Sequence, residues 1–219
     1  MLHKNPNSLR IIAGERRGWR IDSPRGQEVT RPITDRVKEN LFNIIQSLVP
    51  DAIVLDLFAG TGSMGLEALS RGASWVTFVE QNRDVAAILK SNIAKLRYEL
   101  ASRVIGGDAL RLRPAVREPA LADVEGDLVF DLVLVDPPYP MMADELMRER
   151  IGESLAELLS FGALAPEATL VVRRESRISG HYTWPGFELI QSRPYGSMTL
   201  DFLRPVAAPP REPESSPPA

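Results

Sequence analysis

The sequence predicts an α/β protein built on one doubly wound, mostly parallel sheet, and three observations carry that expectation. Short apolar runs alternate with stretches of helical periodicity through the middle of the chain, the pattern of repeated strand–helix units. The segment 54–65, "VLDLFAGTGSMG", places a Gly-x-Gly-x-x-Gly spacing after a strand and at the opening of a helix, where a ligand-binding glycine turn belongs. The segment 130–139, "FDLVLVDPPY", joins an apolar run to a carboxylate, two prolines and a tyrosine. Its part from Leu132 to Val135 reads as a strand buried on both faces, as strands of parallel sheets are.

The elements follow in order. "LRIIAG", "ERRG" and "WRIDSP" read as two short strands around a turn, closed by Pro24 and followed by a Gly-containing loop, so residues 1–33 form a basic N-terminal hairpin and loop. Residues 1–40 hold nine Lys and Arg against five Asp and Glu, a balance of +4; the whole chain carries −3, so the remainder carries −7. A basic arm on an acidic body suits a nucleic-acid enzyme, although on charge alone a solvated surface hairpin accounts for the same arginines. Thr34 is a plausible N-cap, and Val37, Leu41, Ile44, Ile45 and Leu48 recur at helical spacing until Pro50.

Strands are then expected at 52–57, 75–80, 102–106, 130–135 and 168–172, with helices at 63–71, 84–98 and 144–160 between them. A polar connector at 111–127 interrupts the alternation. "FELIQS" and "SMTLDFL", separated by "RPYG", read as a C-terminal antiparallel hairpin. The body thus spans 34–204, and the Pro-rich tail 205–219 is expected to be disordered.

Composition excludes several chemistries. The chain of 219 residues is of one-domain size. It has no cysteine, so disulfides, thiolate zinc sites and cysteine nucleophiles fall away together. His3 and His181 are its two histidines, which leaves no basis for a histidine metal site or triad, and no metal is expected. No run approaches the ~18 apolar residues of a membrane span, and "MLHKNPNSLR" lacks the apolar stretch of a signal peptide. A soluble, cytoplasmic, monomeric protein without membrane contact is expected.

Gly60, Gly62 and Gly65 let the backbone turn tightly and approach a ligand. Glu80, ending the strand in "VTFVEQN", stands where a carboxylate accepts both hydroxyls of a ribose. NAD fits those two features. Asp56, four residues before Gly60, is unwelcome beside a pyrophosphate but suits a ligand carrying an amino group. Asp108 in "VIGGDAL" is a third acidic strand end, able to accept from an adenine amino group. Together they describe S-adenosylmethionine better than a dinucleotide. Phe58, Gln81 and Ala109, beside these carboxylates in the same motifs, complete the candidate cofactor set.

"DPPY" answers a different chemical need. The lone pair of an exocyclic base amino group is delocalised into the ring, so the nitrogen attacks a methyl group poorly until its hydrogens are held. Asp136 can accept one N–H and the carbonyl of Pro137 the other, with Pro137 and Pro138 restricting φ and so aiming that carbonyl. Tyr139 offers a face on which a base stacks, worth ~1–3 kcal/mol.

In order and spacing, "LRIIAGERRGWRI", "TRPITDRVKENLFNII", "LDLFAGTGSMGLEALSRGA", "FVEQN", "GDAL" and "DPPY" resemble the RsmD-type bacterial 16S rRNA guanine-N2 methyltransferases, over about residues 9–203. The resemblance implies a class I methyltransferase sheet, Rossmann-like and seven-stranded, with S-adenosylmethionine as donor. It implies as acceptor the N2 amino group of guanine 966 in 16S rRNA, presented by the 30S subunit or an assembly intermediate. Carried over by position, Gly60 and Gly62 would lie along the methionine part, Glu80 on the ribose, Asp108 by the adenine, and Asp136 to Tyr139 on the target base. Arg31, Thr34 and Arg36 would belong to a block closing over cofactor and target.

Arg16, Arg17 and Arg20 are the expected phosphate contacts of the arm. Arg173 and Arg174, expected just beyond the fifth strand, could meet RNA phosphates or be an exposed pair. The connector 111–127 is longer than the family pattern needs, and the tail has no counterpart in it. A DNA adenine-N6 methyltransferase shares sheet and motif, but Asp at 136 and the lack of a DNA-recognition domain argue against it. A protein-glutamine methyltransferase fits the basic arm poorly. A non-catalytic rRNA-binding assembly factor would not need intact glycines, Glu80 and Asp136.

Overall fold

The computed structural model describes residues 9–24, 34–111, 116, 127–177 and 184–206. The tail from 207, most of the 111–127 connector, His181 and the loop 25–33 with Arg31 lie outside the described residues.

The elements are α1 (Asp35–Ile44), β1 (Ile53–Leu57), α2 (Ser63–Ser70), β2 (Trp75–Glu80), α3 (Arg83–Leu96), β3 (Ser102–Gly106), β4 (Phe130–Val135), α4 (Tyr139–Ala143), α5 (Glu145–Ser160), β5 (Leu164–Glu175), β6 (Phe187–Tyr195) and β7 (Met198–Pro205). They build one seven-stranded sheet in the order β3-β2-β1-β4-β5-β7-β6. β1 to β5 run parallel, and β7 lies antiparallel to both β5 and β6. The chain winds outward from β1 through β2 to β3, then returns to lay β4 on the other side of β1. The carboxyl ends of β1 and β4 therefore flank the switch point, where open α/β sheets bind their ligands.

Side chains along a strand alternate between faces. Val54, Leu132, Leu134 and Val171 pack with Leu41 and Phe42 of α1, Leu66 of α2 and Leu89 of α3. Leu55, Leu57, Val133, Val135, Leu170 and Val172 pack on the opposite face with Ile151, Leu155 and Leu158 of α5. By the same alternation Asp56, Glu80, Asp136 and Arg173 share the face covered by α1, α2 and α3.

Several boundaries differ from expectation. α1 is capped by Thr34, whose hydroxyl accepts from Val37 N, but ends at Ile44. Ile44 and Leu48 are exposed, so the helical periodicity outran the helix. β5 begins at Leu164 and continues through Arg173 and Arg174, and β6 reaches Tyr195. The expected N-terminal strands are present as one antiparallel bridge, Arg10 with Arg20, supported by Ile11 N to Trp19 O at 2.9 Å and Ile21 N to Leu9 O at 2.8 Å.

That arm is fastened to the body by a buried carboxylate. Glu67 of α2, fully buried, accepts from Ile12 N at 2.7 Å, Ala13 N at 3.0 Å and Arg71 Nε at 2.8 Å. Lys38 of α1, equally buried, lies 3.4 Å from the same carboxylate and donates to Arg10 O at 2.6 Å and Ser63 Oγ at 3.2 Å. Burial pulls the Lys38 ammonium below its ordinary pKa, with Glu67 opposing. A charge with this many partners is stable inside; removal of one partner would strand the other.

Candidate active site

The site forms at the carboxyl edge of the sheet. Between β1 and α2 the backbone takes the left-handed region at Phe58 (φ 61), Gly60 (φ 56) and Gly62 (φ 87). For Phe58 this conformation costs energy, and strain held in place by its surroundings is a feature of ligand-binding corners. The two glycines serve different ends. A Cβ on Gly60 would meet nothing within 4 Å, so the loop is open to a ligand there. A Cβ on Gly62 would lie 2.4 Å from Leu89 Cδ1, so that glycine is required by the packing of α3 against the loop.

Carboxylates hold the loop from beneath. Glu80 Oε2 accepts from Gly60 N at 2.9 Å and its Oε1 from Asn82 N at 2.7 Å, so the expected ribose acceptor also fixes the glycine turn. Asp56 is 1% exposed, and its Oδ2 accepts from Gly65 N at 2.8 Å in the first turn of α2. Its hydrogen bond is to the loop. Burial pushes the Asp56 carboxyl up to about 8, helped by the nearby charges of Asp136 and Glu80 and opposed by the Gly65 hydrogen bond.

Asp108 lies just past β3 and accepts from Leu110 N at 2.9 Å. Ala109 is buried and its carbonyl receives Ser154 Oγ, while Gln81 is exposed beyond β2. The glycine loop and the ends of β1, β2 and β3 thus line up the expected cofactor residues along one rim.

At the end of β4 the backbone turns at Asp136, whose N–H reaches Leu57 O of β1 at 3.5 Å. Pro138 caps α4, a helix that the sequence did not suggest, and its carbonyl accepts from Met141 N at 2.9 Å and Met142 N at 3.4 Å. Among the described residues no backbone donor reaches the carbonyl of Pro137, the acceptor expected from sequence. Burial pushes the Asp136 carboxyl above its ordinary pKa, with the Arg173 guanidinium opposing.

Arg173 is where expectation and structure part. It lies inside β5 rather than beyond it, is 5% exposed, pairs through Nε with Asp136 Oδ1, and has its Cζ 5.1 Å from the centroid of the Tyr139 ring. A guanidinium so enclosed is not presented to RNA phosphates. Its neighbour Arg174 is taken by Asp201 of β7.

The arm arginines divide as well. Arg16 Nε donates to Leu96 O at 2.9 Å, its guanidinium pairs with Glu15, and it lies 5.7 Å from the Trp19 ring and 5.5 Å from the Tyr98 ring, so it braces the arm. Arg17 and Arg20 are exposed, as is Arg36 in the first turn of α1. The arm runs along α2, from Arg10 near Ser63 to Glu15, whose N–H bonds Ser70 O at 2.7 Å. Eight helical residues span ~12 Å, so the turn bearing Arg16 and Arg17 lies at the end of α2 remote from the glycine loop. No group of three or more His, Cys, Asp or Glu suited to a metal ion occurs among the described residues, nor does a helix long and apolar enough to cross a membrane.

A family model described as "Conserved hypothetical protein 95" matches residues 9–204. "Ribosomal RNA small subunit methyltransferase D" of Escherichia coli K12 is 36% identical over 173 residues, which cover 79% of this chain and 78% of that protein. The same-named protein of Haemophilus influenzae is 35% identical over 176 residues, 78% of this chain and 83% of its own length. Among solved structures, "Putative methyltransferase yhhF" from Escherichia coli superposes with a TM-score of 0.71 at 30% identity, covering 92% of this chain and 99% of that one. The seven-stranded mixed sheet is of the class I methyltransferase type, and the chain belongs to the ribosomal RNA small subunit methyltransferase D family.

Proposed function

We propose that this chain methylates the exocyclic N2 amino group of a guanine in 16S rRNA, with S-adenosylmethionine as the donor and guanine 966 as the nucleotide that the family resemblance implies. The observation that carries the reading is the meeting, on adjacent strands β1 and β4, of an open glycine loop and the Asp136–Tyr139 corner. The names of the relatives specify small-subunit rRNA and support it as the molecule methylated.

The residues fit the cofactor. The space over Gly60 that a Cβ would enter is free, and Glu80, Asp108 and Asp56 bring carboxylates to a ligand with hydroxyl, amino and cationic groups. Glu80 would hold the ribose, Asp108 the adenine and the Gly60–Gly62 backbone the methionine part. When bound, the cofactor supplies a methyl group on a sulfonium, open to displacement by a nitrogen nucleophile.

The chain prepares that nitrogen. Asp136 accepts one hydrogen of the guanine amino group and the carbonyl of Pro137 the other, which localises the lone pair for attack. The Asp136 carboxylate then balances the positive charge that develops on nitrogen, and the surplus proton of the methylated amino group passes to solvent after transfer, so the base leaves neutral. Tyr139, with the Arg173 guanidinium against one side of its ring, offers the other side to the base. These are positioning and preorganised electrostatics, and need no general base of high pKa. Arg17, Arg20 and Arg36, with Arg31 on the loop outside the described residues, supply phosphate contacts to an RNA held in the 30S subunit or an assembly intermediate, by a monomer.

Nucleoside mass mapping of rRNA from cells with and without this gene tests the reading. Loss of one N2-methylguanosine from 16S rRNA is expected; an unchanged rRNA, or loss of a methyladenosine instead, would overturn it.

A further inference from the structure

We propose that Arg173 is a positioning residue of the methyl-accepting corner, its guanidinium fixing Asp136 and Tyr139 in the arrangement that receives the base amino group. This rests on the base-methylation reading above. Register brings the pair together: Val135 of β4 aligns with Val172 of β5, so Asp136 and Arg173 are the next residues on neighbouring parallel strands and share a face.

The recess around the two is walled by Leu41, Met64, Leu134, Val171 and Leu200. A guanidinium among such walls needs a counter-charge, and Asp136 provides it. The Tyr139 ring lies at cation–π distance from the same group. One side chain from β5 thus grips both ends of the four-residue turn.

The consequences follow from the valence of a carboxylate. With Arg173 on Oδ1, Asp136 Oδ2 is left to receive an N–H. Among the described residues, the charged and titratable groups around Asp136 are Arg173 from β5, Asp56 from β1 and Tyr139 from α4, with Glu80 at the end of β2 acting on Asp56. α1 and α2 present Leu41 and Met64 to the recess, and Lys38 is directed to Arg10, Ser63 and Glu67. Arg173 is therefore the group whose charge opposes the rise that burial imposes on the Asp136 carboxyl. Without it the carboxyl rises further and a proton occupies the oxygen meant for the base.

Arg173→Met and Arg173→Lys test this in the full chain, by single-turnover methyl transfer to 16S rRNA across pH, calorimetry with the cofactor product, and 13C NMR titration of labelled aspartate carboxyls. For Arg173→Met the neutral-pH rate is expected to fall ~10–100-fold, the loss typical of a charged hydrogen-bond partner. Its acidic limb and the Asp136 carboxyl titration should both move to higher pH, with cofactor affinity kept. Arg173→Lys should leave limb and titration near those of the parent and recover part of the rate.

A purely structural arginine would lower the rate uniformly at all pH values and leave the Asp136 titration in place, and that result overturns the proposal. If Arg173→Met fails to fold, Arg173→Lys decides alone: the charge without the flat fork should transfer more slowly at an unmoved acidic limb, and parent-like rates would refute the role. A parent protein that transfers no methyl to rRNA would instead sink the methylation reading, while the NMR titration still reports whether Arg173 governs Asp136.

Discussion

Alanine at Gly60 and at Gly62 should separate ligand approach from packing within one turn. Both glycines have positive φ, which costs an alanine ~1–2 kcal/mol. At Gly60 the added methyl meets no protein atom within 4 Å, so that strain is the whole folding penalty. At Gly62 it would lie 2.4 Å from Leu89 Cδ1 and 3.1 Å from Leu66 Cδ1, adding the ~1–3 kcal/mol of an overpacked core. For a chain of this size each kcal/mol lowers Tm by ~2–4 °C, so Gly60→Ala should lose ~2–8 °C and Gly62→Ala ~4–20 °C. Calorimetry with S-adenosylhomocysteine should show the opposite order: Gly60→Ala, stable enough to be fully folded, binds far more weakly because its methyl occupies the open approach. Thermal unfolding and calorimetry on the same preparations read both. A Gly62→Ala protein as stable as the parent, or a Gly60→Ala protein of parent affinity, would refute the division of roles.

Other outcomes follow from the same rim. Glu80→Ala should weaken cofactor binding by the ~1.5–3 kcal/mol of a hydrogen bond to a charged group, measured by calorimetry; unchanged affinity would remove Glu80 from the ribose. With its pKa near 8 in the free protein, Asp56 is mostly protonated at pH 7. An arriving ammonium lowers that pKa, so calorimetry in two buffers of different ionisation enthalpy should show a proton released on binding at pH 7, the release fading above about pH 9 as the carboxyl ionises beforehand. No release at pH 7 would contradict the burial argument. Replacing Arg17 and Arg20 by Gln should lower the salt slope of RNA binding by about one for each phosphate no longer neutralised without altering Tm, whereas Arg16→Ala should lower Tm; an unmoved slope would return the arm to a purely structural role.

Much of this architecture was legible because a buried parallel strand leaves an unmistakable apolar run and a glycine turn marks its exit. Both signals announced the ends of β1 and β4, and with them Asp56, Gly60 and Asp136. The partner of Asp136 escaped because an arginine after "LVV" reads as an exposed strand end, and single-sequence periodicity says nothing of register. The signal was nonetheless there: Asp136 follows Val135 as Arg173 follows Val172, and parallel pairing of those two valines sets carboxylate and guanidinium side by side on one face. Ile44 and Leu48 misled in the other direction, since apolar residues at helical spacing continued past the point where packing stops. The bracing roles of Arg16, Lys38 and Glu67 depend on partners as many as 80 residues away in sequence, which no local pattern encodes.

The central claim is that the turn after β4 prepares an exocyclic amino group for methylation, and single-turnover transfer by Asp136→Asn tests it most directly. Alanine would leave the Arg173 guanidinium with neither charge nor acceptor at this position, a destabilisation in its own right, whereas the amide keeps the shape and an acceptor oxygen for Arg173 and loses only the charge, the same charge that balances the methylated nitrogen. Removal of one preorganised polar partner costs ~10²–10³ in rate. The account predicts that Asp136→Asn falls short of that full loss but remains well below the parent, at parent-like cofactor affinity. An Asp136→Asn enzyme as fast as the parent would contradict it.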